Sequence, residues 1–172
     1  MQDNQNCIKF LVDIGVKASE ITDITNSSLK CDYIGLDNEN WHIVEHKASK
    51  ADMERGVMQL YRYYDELRYS KYNSDNTTNN TYQQFRIKPA WNGKELTHEQ
   101  LNKCEPKTYH NAYGKHEIKL YLLFNGTDID GFKRYYSIYK FYIERKNNPK
   151  IEFWYINEED KPQRLGKRAK TV

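Results

Sequence analysis

The chain reads as an α/β protein, a single domain of 172 residues with a central mixed sheet flanked by helices. Three observations predict this. Apolar residues recur at helical spacing in residues 3–16, 51–68 and 131–146, and the runs between them alternate, or stay apolar, as strands do. Two of those runs are joined by a short polar loop and therefore pair antiparallel, whereas the runs on either side of the Gly131 helix allow a parallel crossover, so the sheet is mixed. Finally, 172 residues with 38% hydrophobic and 30% charged side chains suffice for one buried core and leave little room for a second.

The first helix is expected over Asp3 to Val16, with Cys7, Ile8, Leu11 and Val12 as its buried stripe, closing near Gly15. Leu29 to Leu36 and Trp41 to Lys47 follow as the arms of a β-hairpin around Asp37, Asn38, Glu39 and Asn40. Side chains two apart on a strand share a face, so Asp32 lies with Ile34 and Leu36, and Glu45 lies with Ile43 and Lys47. Pairing through the loop brings both acids and the amine together at the strand ends remote from it.

Carboxylates among Ile, Leu and Val need something to offset the loss of hydration. A divalent cation held by Asp32 and Glu45 would do so and would make a reactive site. A solvated edge hairpin, with Glu45 and Lys47 as an exposed pair, fits the same short pattern, and at this point both readings stand. The next segment adds weight to the first. Met53, Val57, Leu60, Tyr61, Tyr64 and Leu67 give a helix over Ala51 to Arg68 one core face, and Gln59 and Tyr63, four apart, share a neighbouring stripe that can be turned to the acids.

The order Asp32, then Glu45-His46-Lys47, then a helix bearing Gln59 and Tyr63 resembles the PD-(D/E)XK nuclease superfamily, whose fold is called restriction endonuclease-like. The QLYRY segment looks like the Q-x-x-x-Y helix of its RecB-type branch. The resemblance implies a restriction endonuclease-like core, an α/β sandwich in which helices cover a central sheet. It implies that Asp32 and Glu45 bind Mg2+ or Mn2+, that the main-chain carbonyl of His46 completes the protein's ligands, and that Lys47 orients or activates the attacking water. Gln59 would help to hold the site, with Tyr63 as an accessory. Family members usually place a helix before the first strand, sometimes with an extra acid; Glu20 is the candidate there, against a solvated loop residue. One departure is Cys31, which precedes Asp32 where the name-giving motif has proline, an absence frequent in the RecB-type branch.

Residues 69–116 are polar and lack a clear period, with the run NSDNTTNNT, and are read as an insertion after the second helix. His98, Cys104, His110 and His116 recur every six residues, but that spacing lacks the close ligand pairs of zinc motifs and is read as chance. Glu117 to Phe124 is expected as a central strand covered on both faces. The Gly131 to Lys146 helix carries Phe132, Tyr135, Tyr136, Tyr139, Tyr142 and Ile143 on one stripe, and Ile151 to Ile156 supplies a last strand. Residues 161–172 form a basic tail.

The expected activity is metal-dependent hydrolysis of phosphodiester bonds, with DNA as substrate and endonucleolytic cleavage favoured. The alternatives are an RNA endonuclease, or a non-catalytic nucleic-acid-binding or assembly module on the same fold. The cap-snatching endonucleases share the D, ExK arrangement but generally use an upstream histidine, and here none precedes His42. Arg86 and Lys88 in the insertion, with Lys167 and Arg168 in the tail, are the expected contacts to nucleic acid. A homodimer is left open. A net charge of +3 does not by itself announce such a partner. Cys7, Cys31 and Cys104 are an odd set at wide spacing and read as reduced thiols. With no apolar run able to cross a bilayer and no signal pattern at Met1, a cytoplasmic protein is expected.

Overall fold

Helix α1, Gln2–Asp13, opens the chain, and its end shows why helices stop where they do. Gly15 takes a φ of 85°, a left-handed conformation that glycine adopts at no steric cost. The Val16 N–H then reaches back to the Leu11 carbonyl at 2.8 Å and the Gly15 N–H to that of Val12 at 3.0 Å, the paired bonds of a Schellman cap. The computed structural model describes residues 2–20, 31–37, 39–72, 117–142 and 149–166.

The further elements are β1 (Ser19–Glu20), β2 (Tyr33–Leu36), β3 (Asn40–Lys47), a 3-10 turn (Lys50–Asp52), α2 (Met53–Tyr72), β4 (Glu117–Phe124), α3 (Ile129–Tyr142), β5 (Ile151–Ile156) and β6 (Pro162–Arg164). The strands form one six-stranded sheet in the order β1-β2-β3-β4-β5-β6. Neighbours pair antiparallel except β3 with β4 and β4 with β5, which are parallel, so the sheet is mixed as expected. Each parallel pair is linked by a segment that carries a helix, as parallel strands require.

Both crossover helices lie on one face. Met53, Val57, Leu60 and Tyr63 of α2 and Phe132 and Tyr139 of α3 share a core with Ile34, Ile43, Leu120, Leu122, Phe124 and Phe153. Phe132 stacks on Phe124 at 4.8 Å between centroids, and the Tyr61 and Tyr139 hydroxyls meet at 2.7 Å, joining α2 to α3. Helix α1 covers the opposite face, where Cys7, Phe10 and Leu11 pack on Tyr33, Val44, Tyr121 and Leu123. The last five residues of β4 are all buried, as a strand covered on both faces must be.

Several boundaries differ from the sequence expectation. Strand β2 begins at Tyr33, so Asp32 stands just before it, and α2 runs to Tyr72, into the segment expected as insertion. Pro162–Arg164, expected as tail, is a short edge strand on β5, a place where proline's missing N–H costs nothing. The rest of the insertion, residues 73–116, and residues 167–172 of the tail lie outside the described residues. No helix among the described residues is long and apolar enough to cross a membrane.

Candidate functional site

The hairpin register builds the site. Tyr33 is paired with Val44 and Ile34 with Ile43, so one step further along puts Asp32 opposite Glu45, where cross-strand side chains start about 5 Å apart. The Asp32 carboxylate accepts the His46 main-chain N–H at 2.7 Å, closing the ladder beyond the end of β2. Lys47, two residues after Glu45 and on its face, donates to Glu45 Oε1 at 2.8 Å. The same ammonium donates to Gln59 Oε1 at 2.9 Å, and Gln59 Nε2 reaches the Tyr63 hydroxyl at 3.4 Å. Asp32, Glu45, Lys47, Gln59 and Tyr63, predicted from the sequence as one group, are thus brought together by β3 and the inner stripe of α2.

The electrostatics are unusual for a surface pair. Glu45 is 2% exposed, and its second oxygen, Oε2, is buried with no hydrogen-bond partner. Burial pushes its carboxyl up to about 7; the Asp32 charge adds to this, while the Lys47 ammonium opposes it. An orphaned carboxylate oxygen costs on the order of several kcal/mol once ionised, so a cation beside it would relieve that cost. Burial, with the Glu45 charge second, raises Tyr63 to about 12, so the oxygen that accepts from Gln59 Nε2 is that of a neutral phenol well into the alkaline range.

The His46 carbonyl is placed by strand alternation. The Asn125 N–H donates to the Lys47 carbonyl at 2.9 Å, so Lys47 points its backbone toward β4. His46, one residue before, points its N–H and carbonyl to the other edge, where Asp32 already accepts the N–H. Two carboxylates and this carbonyl are hard oxygens, the ligand type that Mg2+ or Mn2+ takes. Among the described residues no group of three or more His, Cys, Asp or Glu side chains is arranged to hold a metal ion, so water and substrate would have to complete the shell.

The main chain of Glu20 pairs with Gly35, three residues along β2 from Asp32. Arg86, Lys88, Lys167 and Arg168 lie outside the described residues. Sequence reasoning missed two contacts. Asp3 of α1 meets His46 Nδ1 at 3.1 Å, which ties the first helix to the Glu45-His46-Lys47 segment; the alternation that turns Glu45 toward α2 also turns His46 toward α1 and could have suggested it. At the other end of the hairpin, Asp37 accepts from the Glu39 and Asn40 N–H groups, each at 2.7 Å, and from His42 Nε2 at 2.6 Å. Burial lowers the His42 pKa, so the neutral ring donates through Nε2 and accepts the Tyr121 hydroxyl through Nδ1 at 2.8 Å. This fully paired cluster pins the loop and the sheet and lies away from the acids.

Compared with protein-family models, with curated proteins and with solved structures, the chain matches none.

Proposed function

We propose that the protein is a metal-dependent nuclease of the PD-(D/E)XK type, with a restriction endonuclease-like core, that hydrolyses phosphodiester bonds of DNA as an endonuclease. The observation that carries the reading is the buried, unpartnered Oε2 of Glu45, a residue that the hairpin register sets opposite Asp32 and whose other oxygen holds the Lys47 amine together with Gln59. An exposed edge hairpin would leave these charges in water, and a decayed site would have no reason to keep a carboxylate in a setting that resists ionisation. The helix before the strands, the hairpin, the α2 stripe and the covering of both sheet faces are what the resemblance implies for this fold.

Asp32, Glu45 and the His46 carbonyl would hold Mg2+ or Mn2+, which supplies charge neutralisation at the phosphate and a more acidic bound water. Lys47 would orient the attacking water and shield the charge that grows on the phosphate oxygens. Gln59 fixes the amine from the side of α2, so that only a narrow set of Lys47 positions is open to it. Tyr63 holds Gln59 in turn, its hydroxyl oxygen accepting from Gln59 Nε2.

Isothermal titration calorimetry with MnCl2 tests the centre. Binding by the wild-type chain that is lost in Asp32→Ala and in Glu45→Ala is expected. Absence of wild-type binding at millimolar metal overturns the proposal, and binding without cleavage of any nucleic acid gives the fold a non-catalytic role instead.

A further inference from the structure

We infer that Gly56 is a positioning residue for Lys47, an inference that rests on the nuclease reading for its catalytic consequence and on packing alone for its structural one. Gly56 sits in the first turns of α2 and is buried against the sheet, three residues before Gln59. A Cβ built on it would stand 2.8 Å from Leu122 Cδ1, 3.0 Å from Lys47 Cε and 3.3 Å from Lys47 Cγ. The space left by the missing side chain is therefore shared by the Leu122 side chain and the Lys47 stem, where α2 meets β3 and β4.

The two neighbours differ in what they can yield. Leu122 is fully buried in the main core, with close-packed neighbours around it. Leu122 Cδ1, the nearer contact, must shift within that packing, and Lys47, which keeps 14% of its side chain exposed and ends in a flexible stem, gives way with it. Its ammonium is held by two bonds, to Glu45 Oε1 and Gln59 Oε1, and a shift of a few tenths of an ångström at Cε is carried to Nζ, where both lengths are already fixed near 2.8 to 2.9 Å. At an open helix position alanine stabilises relative to glycine; here the added methyl would instead crowd Leu122 and the stem of the Lys47 amine.

The test uses the full chain and the variants Gly56→Ala, Val57→Ala, Lys47→Ala and Gly56→Ala with Lys47→Ala. Amine acetylation is followed residue by residue by mass spectrometry, with the exposed Lys9 and Lys161 as internal standards. Lys47 is expected to be protected in the wild type and to react about tenfold faster in Gly56→Ala, with both standards unchanged. Val57→Ala, which loosens the same helix without adding an atom near Lys47, is expected to melt earlier yet keep Lys47 protected. An unchanged Lys47 rate in Gly56→Ala, or an equal rise in Val57→Ala, overturns the inference.

Thermal unfolding of the double variant supplies a second arm, since groups in contact do not act additively. Removing the Lys47 stem relieves only its own share of the crowding, since Leu122 Cδ1 still faces the added methyl, so the double variant is expected to lose less stability than the two single losses added together. Where Gly56→Ala does not fold alone, the same cycle is run in a Leu122→Val background, which removes the nearer contact; losses that simply add overturn the inference. With Mn2+ and DNA, Gly56→Ala is expected to lower kcat while KM stays near the wild-type value. If the wild type cleaves nothing but Lys47 is released by Gly56→Ala, the nuclease reading falls and the seating of Lys47 by Gly56 stands.

Discussion

Replacing Glu45 by glutamine should stabilise the metal-free protein at alkaline pH and abolish its response to divalent cations. The carboxyl is carried from an ordinary 4.5 up to about 7, with burial the leading cause. Because the folded-state value lies above the ordinary one, Glu45 favours folding fully below pH 4.5 and loses that advantage as pH rises through 7. A rise of this size makes the ionised side chain cost about 3 kcal/mol at pH 8. Glutamine keeps the shape and cannot ionise, but Lys47 then loses its charged partner and retains Gln59, so the net gain at pH 8 is about 1 to 3 kcal/mol. Near pH 4.5 the gain should fall to about zero.

The assay is urea denaturation of wild type and Glu45→Gln in EDTA from pH 4.5 to 8.5. The difference between the two matters because His42, whose pKa is lowered chiefly by burial, destabilises both as pH falls through its ordinary range. Repeating the series with Mn2+ at about 100 times its dissociation constant should add about 2.7 kcal/mol to the wild type and nothing to the variant. A stability gap that is flat across this pH range would show that Glu45 ionises as an ordinary carboxyl, and an equal gain from Mn2+ in both proteins that its carboxylate is no metal ligand.

Gln59→Ala should lower cleavage by about 10- to 100-fold by freeing the Lys47 amine on one side, with Mn2+ affinity unchanged by calorimetry; an equal loss of metal affinity would put Gln59 in another role. Asp37→Ala removes the acceptor of three hydrogen bonds and should cost about 1 to 3 kcal/mol in urea denaturation. Since Asp37 lies five residues, roughly 16 Å of extended chain, from Asp32, metal binding should survive that change. Alanine at Arg86 and Lys88, or removal of Lys167 and Arg168, should flatten the dependence of DNA affinity on salt by about one unit of log slope for each phosphate that is no longer neutralised. Fluorescence anisotropy reads that slope, and an identical value in wild type and variants would rule those four residues out as phosphate ligands.

The site was legible because its geometry follows from two short periods. Alternation alone put Glu45 and Lys47 on one face of β3, and the i, i+4 spacing put Gln59 and Tyr63 on one stripe of α2. The hairpin loop announced itself through Asp37, whose side chain caps its own turn. Less could be read where an element is set by its neighbours. Strands β1 and β6 have two and three residues, too few for any period to register, and exist because β2 and β5 offer them open edges. The burial of Glu45, which decides the chemistry, depends on α2 closing over β3, and the closeness of that approach depends on Gly56 lacking a side chain. Nothing in the identity of a single glycine reveals which side chain will occupy the space that it leaves.

That Asp32, Glu45 and Lys47 cleave phosphodiester bonds with a bound metal is checked by gel analysis of linear, circular and branched DNA with Mg2+ or Mn2+. Wild type is expected to give products on closed circular DNA and none in EDTA. Glu45→Ala and Lys47→Ala, both still folded by circular dichroism, are each expected to lose activity by a factor on the order of a thousand or more. Full activity in either purified variant, or in EDTA, would contradict the claim.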